Sequence, residues 1–341
     1  MKLAFTLCSN NYLAQAKTLG DSLLKFNPDY KFVIGLVDKL SPQINYPKDI
    51  THEVIPIEDI GIADFDDLWK KYNIIELNTC VKPSIIRYLF KKNPDLEFLF
   101  FFDPDIMIFD KLSDIESKFK MNDFILTPHI LYPLTLSEQR PNEYDFLNYG
   151  IYNIGFLGLR NSKQVINDFL PWWEERALKL GYIKPCSGLF VDQIWFNLVP
   201  LFFRKTYVLN HLGCNVGPWN LHERELTQLS DRIIVNSKDN LIFFHFSSYN
   251  YNRPATLFYN YDRNINYINS TIEYLYTLYN NLLIENRIER FSAVKCYYME
   301  LKEKLDHEII IRQNTLKRRV KKLIKNLLPV FIVNRMNKTI Q

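Results

Sequence analysis

The chain has 341 residues, 47% of them hydrophobic and 23% charged, with only 10 glycines and a formal net charge of +4. That length buries one large core or two modest ones without staples, and glycine far below the usual share of roughly 7% excludes collagen-like, linker-like and low-complexity chains. No GxGxxG, GxxxxGK[ST], HExxH or CxxC pattern occurs, which sets those four chemistries aside, and the scattered cysteines (Cys8, Cys80, Cys186, Cys214, Cys296) suit reduced cytoplasmic thiols.

Residues 2–7 open the chain as a buried strand, too short an apolar run for a signal peptide. Positions 13–26 have helical periodicity and end near Asn27-Pro28. Residues 31–37 read as a second strand closed by Asp38, and 51–57 as a short third. One or two helices occupy 66–90, with Pro83 opening the second. Then comes 97–102, EFLFFF, an unbroken apolar run suited to a central strand buried on both faces. This alternation predicts an α/β fold, a mostly parallel central sheet with flanking helices. In such sheets ligands sit beyond the carboxyl ends of the strands.

Asp103-Pro104-Asp105 leaves the end of that apolar strand. Pro104 biases Asp103 toward extended backbone, so the two carboxylates project to one side. They repel unless a cation lies between them, and a hard divalent ion would satisfy both while keeping positions open for a diphosphate. The plain alternative is an Asp-Pro turn closing a strand. A second acidic pair, Asp64-Phe65-Asp66, follows no buried strand and serves as a decoy.

Further fragments follow in order: YNIGFLGLRNS (152–162), VDQIWFN (191–197), NVGPWN (215–220) and FFHFSSYNYNRP (243–254). With the DPD they resemble a bacterial relative of glycosyltransferase family 8, retaining enzymes of the GT-A (Rossmann-like) fold. The resemblance spans residues 2–254. It implies that Asp103, Asp105 and His245 hold a manganese or magnesium ion, and that a UDP-sugar is the donor. Ser248 stands where the family has Gly, and Arg253 where it has Lys; Arg253 would still neutralise the departing diphosphate. Residues 6–12 resemble the base-binding loop, with Thr6, Cys8, Ser9, Asn10, Asn11 and Tyr12 as contacts; alternatively Ser9, Asn10 and Asn11 only cap the next helix. Lys82 matches a basic residue near the nucleotide sugar, or is a solvated charge. Asn153, Asp192 and Gln193 would read the sugar, Gln193 stabilising the cationic ring, and Asn220 would contact sugar or acceptor. Trp172, Trp173, Trp195 and Trp219 are stacking or core residues.

The last segment, 309–341, holds nine Lys/Arg and no acidic residue, leaving a body of 33 basic against 38 acidic. Leu316, Val320, Leu323, Ile324, Leu327 and Leu328 form one helical stripe, followed by LLPVFIV at 327–333. Such a basic amphipathic tail can lie on an anionic membrane or dock on its own core; no motif favours nucleic acid. The expected organisation is a catalytic domain at 1–262 and a helical extension at 263–341. The expected protein is a cytoplasmic transferase, peripheral on the inner face of the membrane, acting on a glycan or lipid-linked acceptor. An inverting enzyme with Asp192 as base, or a non-catalytic sugar-nucleotide or glycan-binding protein, are the alternatives.

Overall fold

A computed structural model describes residues 1–253 and 261–327, the side chains of 321–327 excepted. Four strands run parallel: β1 (Lys2–Cys8), β2 (Tyr30–Leu36), β3 (Glu53–Pro56) and β4 (Phe98–Phe102). The chain then leaves the sheet as β5 (Ile106–Ile108) and returns as β6 (Phe124–Pro128) and β7 (Tyr152–Arg160). β7 lies antiparallel between β4 and β6, and Thr206–Val208 closes the edge parallel to β6. The sheet order is Thr206–Val208, β6, β7, β4, β1, β2, β3. This is the predicted mixed α/β architecture, mostly parallel with one reversed strand.

Every residue of β4 is buried, which explains its unbroken apolar run. Phe98, Phe100 and Phe102 pack with Phe119 and Phe156 on one side, while Phe101 tilts against Phe5 on the other. Helix α1 (Leu13–Phe26) buries Leu13, Ala16, Leu19 and Leu23, the spacing that its periodicity predicted. Residues 66–90 resolve into three helices, Phe65–Lys71, Ile74–Cys80 and Lys82–Lys92. The additional break comes from Asn73, whose side chain caps the second helix in a reciprocal pair with Glu76.

The helices Ser270–Glu285 and Ile288–Ser292 bury Ile272, Leu275, Tyr279, Leu283, Ile288 and Phe291 in the same cluster as β2 and β4. The first compact unit therefore runs Met1–Cys296, past residue 262. A second begins at Tyr297 with the 31-residue helix Tyr297–Leu327. On it Leu316 and Val320 are exposed; the side chains of Leu323, Ile324 and Leu327, and everything from Leu328 on, lie outside the described residues. Among the described residues, no helix is long and apolar enough to cross a membrane. All five cysteines are free thiols, four of them buried.

Candidate active site

β4 ends at Phe102, and Asp103-Pro104-Asp105 turns the chain into β5. β5 pairs antiparallel with Phe243–His245 so that Ile106 faces His245. This ladder brings together residues far apart in sequence. One ligand atom from each of Asp103, Asp105 and His245 lies within 4.8 Å of the others. His245 Nε2 is 3.0 Å from Asp105 Oδ1 and 3.9 Å from Asp103 Oδ2.

The charges in this cluster are poised for a cation. Burial pushes the Asp103 carboxyl up to about 6, with Asp105 adding to the rise and Lys82 and His245 opposing it. Burial would depress His245, but the carboxylates of Asp105 and Asp103 outweigh it and hold the imidazole above its ordinary value. His245 Nδ1 is buried with no hydrogen-bond partner among the described residues. Two carboxylates and one imidazole are the donor set that manganese-like or magnesium ions accept.

The wall behind the triad is an irregularity in β7. Its pairing with β6 jumps from Leu126–Leu157 to Thr127–Asn153, and bulges of this kind re-aim side chains beside sites. The polar groups of the bulge are engaged by site residues. Asp103 N–H donates to Gly155 O at 2.7 Å, Gly155 N–H to Asn153 Oδ1 at 3.0 Å, and Ile154 N–H to Gln193 Oε1 at 2.9 Å. Lys82 Nζ donates to Ile154 O at 3.4 Å. A Cβ on Gly155 would lie 2.5 Å from His245 Cε1 and 2.9 Å from Asp103 Oδ2, so this position has no room for a side chain.

In front of the triad opens a cavity of about 900 Å³, lined among others by Asn153, Gln193, His129, Trp219, Tyr149 and Phe190. Gln193 is held at both ends of its amide, its Nε2 donating to Tyr149 O at 2.8 Å. His129 was not singled out by sequence, although a polar residue leaving the apolar strand β6 was the available signal. Its Nδ1 lies 3.2 Å from Ile151 O, which can only accept, so Nδ1 carries the proton. Nε2 then accepts from Asn153 Nδ2 at 3.2 Å. Burial drives His129 down to about 4, so this imidazole stays uncharged at neutral pH. Trp219 stands edge-on to His245, ring centres 5.1 Å apart.

The remaining predicted residues divide. Lys82 is not a solvated charge: it is buried, 2.9 Å from Asp192 Oδ2, with its ammonium over the Phe101 ring. Asp192, 1% exposed, is committed to that pair and does not border the cavity. Asn220 is fully buried, and its amide fastens the 215–220 turn to backbone at Gly217, His129 and Asn215; it makes no wall of the cavity. At the exit of β1, no side-chain cap forms at Ser9 or Tyr12. The Asn10 amide instead bonds Asp38 and the Lys39 carbonyl. Thr6 and Asn11 keep buried side-chain oxygens without partners among the described residues. Ser9 accepts from Asn78, and burial pushes the Cys8 thiol up, leaving it uncharged. Tyr12 is 45% exposed and borders a second, small cavity beside Asp105.

Ser248 adopts φ +63°, the left-handed region that favours glycine. Arg253 N–H donates to Asn250 O at 2.9 Å; Pro254 lies outside the described residues. Trp173 is core, whereas Trp172 and Trp195 meet edge to face under Arg176. In the decoy pair, Asp66 accepts from Trp69 on a helix.

No profile of a known protein family matches the chain. The uncharacterized protein YfnF of Bacillus subtilis (strain 168) is 28% identical over 248 residues, covering 72% of this chain and 80% of that one. Among solved structures, the galactosyltransferase LgtC in complex with donor and acceptor sugar analogues is 14% identical. It covers 82% of this chain and 95% of its own, with a TM-score of 0.44. Mouse xyloside xylosyltransferase 1 is 10% identical, covering 72% and 98%, with a TM-score of 0.43. A glycosyltransferase involved in glycosylation of the major capsid of PBCV-1 is 11% identical, covering 73% and 94%, at 0.41.

Two outcomes follow from the geometry. Gly155→Ala forces His245 and Asp103 apart, and is expected to weaken Mn²⁺ binding by about tenfold or more, in a chain that still melts cooperatively; calorimetric titration reads this. The raised values of Asp103 and His245 mean that the metal-free fold holds protons there more tightly than the unfolded chain. That contribution to stability is present at low pH and is lost as pH rises, through about 6 for Asp103 and above the ordinary imidazole value for His245. A divalent cation competes for the same atoms. Mn²⁺ affinity is therefore expected to be about tenfold or more weaker at pH 5.5 than at pH 7.5, and the melting-temperature rise on adding Mn²⁺ larger at the higher pH.

Proposed function

We propose that the chain is a metal-dependent glycosyltransferase of the GT-A type, resembling family 8. It moves a hexose-type sugar from a UDP-sugar to a surface-glycan or lipid-linked acceptor with retention of anomeric configuration. The observation that carries the reading is the joining of Asp103, Asp105 and His245 at the edge of a cavity that Asn153 and Gln193 also line. Asp103, Asp105 and His245 would hold Mn²⁺ or Mg²⁺, which supplies positive charge for a leaving diphosphate. Arg253 adds a second cation in the segment that resembles the family's closing motif.

The chain's own residues account for the rest of the reaction. Gln193 Oε1 spends one lone pair on Ile154 N–H and keeps another for the sugar. An amide oxygen fixed in this way stabilises a ring that turns oxocarbenium-like as the anomeric bond breaks, while remaining a poor nucleophile. Attack then comes from the face of departure. Asn153, oriented by His129 and Gly155, presents its amide to the sugar hydroxyls. The inverting alternative needs Asp192 as a free base, and its buried pairing with Lys82 weighs against that role. The left-handed backbone at Ser248, a conformation open to glycine, weighs against a degenerate, merely binding site.

The basic helix from Tyr297 is proposed as a contact for an anionic membrane, placing the enzyme on the cytoplasmic face. The exposure of Ile309, Ile310, Leu316 and Val320 supports it, with Lys317, Arg318 and Arg319 on neighbouring positions. Deleting residues 309–341 should leave turnover of a soluble acceptor within about twofold, and reduce co-sedimentation with phosphatidylserine vesicles by about tenfold. Equal sedimentation of both forms refutes the membrane contact.

The donor site is tested by calorimetry with UDP, in Mn²⁺ and in EDTA. Binding is expected in Mn²⁺ alone, about tenfold or more weaker in Asp105→Asn. Gln193→Ala should keep UDP binding within about twofold while lowering kcat roughly a hundredfold. UDP binding that is indifferent to EDTA and to Asp105→Asn contradicts the reading.

A further inference from the structure

Asp105 borders two cavities. One is the large cavity of Asn153 and Gln193. The other is a slot of about 30 Å³ on the side of β1 and α1, bordered by Tyr12, Gln15, Ser248, Tyr249, Tyr251 and Tyr279. A space of that size admits one water molecule or one hydroxyl group.

Two of its walls carry polar atoms with nothing to bond. Tyr279 is 1% exposed, stacked on Phe246 with ring centres 4.0 Å apart and planes 6° from parallel. Its hydroxyl is buried without a hydrogen-bond partner among the described residues. Gln15 Oε1 is in the same condition. The neighbouring tyrosines are occupied, Tyr249 donating to Asn280 and Tyr251 sharing a hydrogen with Ser292. An orphaned buried hydroxyl costs the fold free energy, and a phenylalanine would stack on Phe246 equally well. The hydroxyl therefore has no evident structural reason to be there.

We propose that Tyr279 and Gln15 form a hydroxyl-reading subsite, and that the group they read is a ribose hydroxyl of the bound nucleotide. This rests on the nucleotide-sugar reading of the site. A diphosphate at Asp103, Asp105 and His245 has the large cavity on one side and the slot on the other. The transferred sugar belongs with Asn153 and Gln193, so the nucleoside extends toward β1, past the slot. A ribose hydroxyl donates its hydrogen to the Gln15 carbonyl oxygen, and its own oxygen accepts from the Tyr279 hydroxyl. Both orphans are then satisfied by one group. Tyr279 comes from the helix Ser270–Glu285, so this helix helps select the donor besides closing the core.

The test is calorimetric titration, in Mn²⁺, of the wild type and of Tyr279→Phe with UDP, 2′-deoxy-UDP and 3′-deoxy-UDP, together with melting of both proteins without ligand. The wild type is expected to prefer UDP by about fivefold over the deoxy form that lacks the hydroxyl read by the slot. Tyr279→Phe is expected to lose most of that preference by weakening UDP alone, and to melt no lower than the wild type. Unchanged UDP affinity in Tyr279→Phe overturns the proposal, leaving a slot filled by water. Equal weakening of all three nucleotides with a lower melting temperature also overturns it, in favour of a packing role. A wild type that binds UDP without preference over either deoxy form overturns the slot while sparing the donor site. One that binds none of the three overturns the donor reading beneath it.

Discussion

The site is organised by the absence of a side chain at Gly155. Its backbone lies so close to the Asp103 carboxylate, the His245 imidazole and the Asn153 amide that any Cβ would stand within 3 Å of all three. That contact exists because β7 slips register against β6 at Leu126/Thr127, leaving residues 154–156 unpaired with β6. The bulge is not left with loose polar groups. Asp103, Asn153, Gln193 and Lys82 satisfy them, so residues of the proposed metal and sugar sites and of the buried charge pair are all tied to one short piece of backbone. Small displacements there reach each of them.

The electrostatics follow from the same crowding. Asp103, Asp105 and Asp192 bring three carboxylates into one neighbourhood, and Lys82 and His245 oppose them there. Lys82 is spent largely on Asp192, a pair whose removal on one side would leave a buried uncompensated charge. Burial lifts the Asp103 carboxyl above its ordinary value, and the carboxylates of Asp105 and Asp103 lift the His245 imidazole against its own burial. A divalent cation held by Asp103, Asp105 and His245 would offset that imbalance. His129 stands beside this cluster yet stays neutral, so its role is to hold the Asn153 amide in one orientation.

Much of the frame was legible in the sequence because periodicity reports burial. The EFLFFF run announced a strand covered on both faces, and β4 is that strand. Asp103 and Asp105 stood out because they leave it. His245, Asn153 and Gln193 were reached only through the order of fragments, since nothing local distinguishes them from core or turn residues. The Lys82–Asp192 pair was hidden by its sequence separation: Lys82 read alone looked like a solvated charge, and Asp192 like a sugar contact or a catalytic base. Asn220 was reached through the NVGPWN fragment, and in the fold backbone groups occupy its amide. Gly155, His129 and Tyr279 depend on a register slip and on a helix from the far end of the compact unit. No spacing rule reports such contacts.

The proposed activity requires a cation held by Asp103, Asp105 and His245 and shared with a nucleotide diphosphate. Pulsed electron–nuclear double resonance of Mn²⁺ bound to the protein with UDP reads that arrangement directly. The account predicts one Mn²⁺ coupled both to a ¹⁴N nucleus, lost in His245→Ala, and to ³¹P of the diphosphate. A Mn²⁺ signal with phosphorus coupling but no nitrogen coupling, unchanged in His245→Ala, would contradict it.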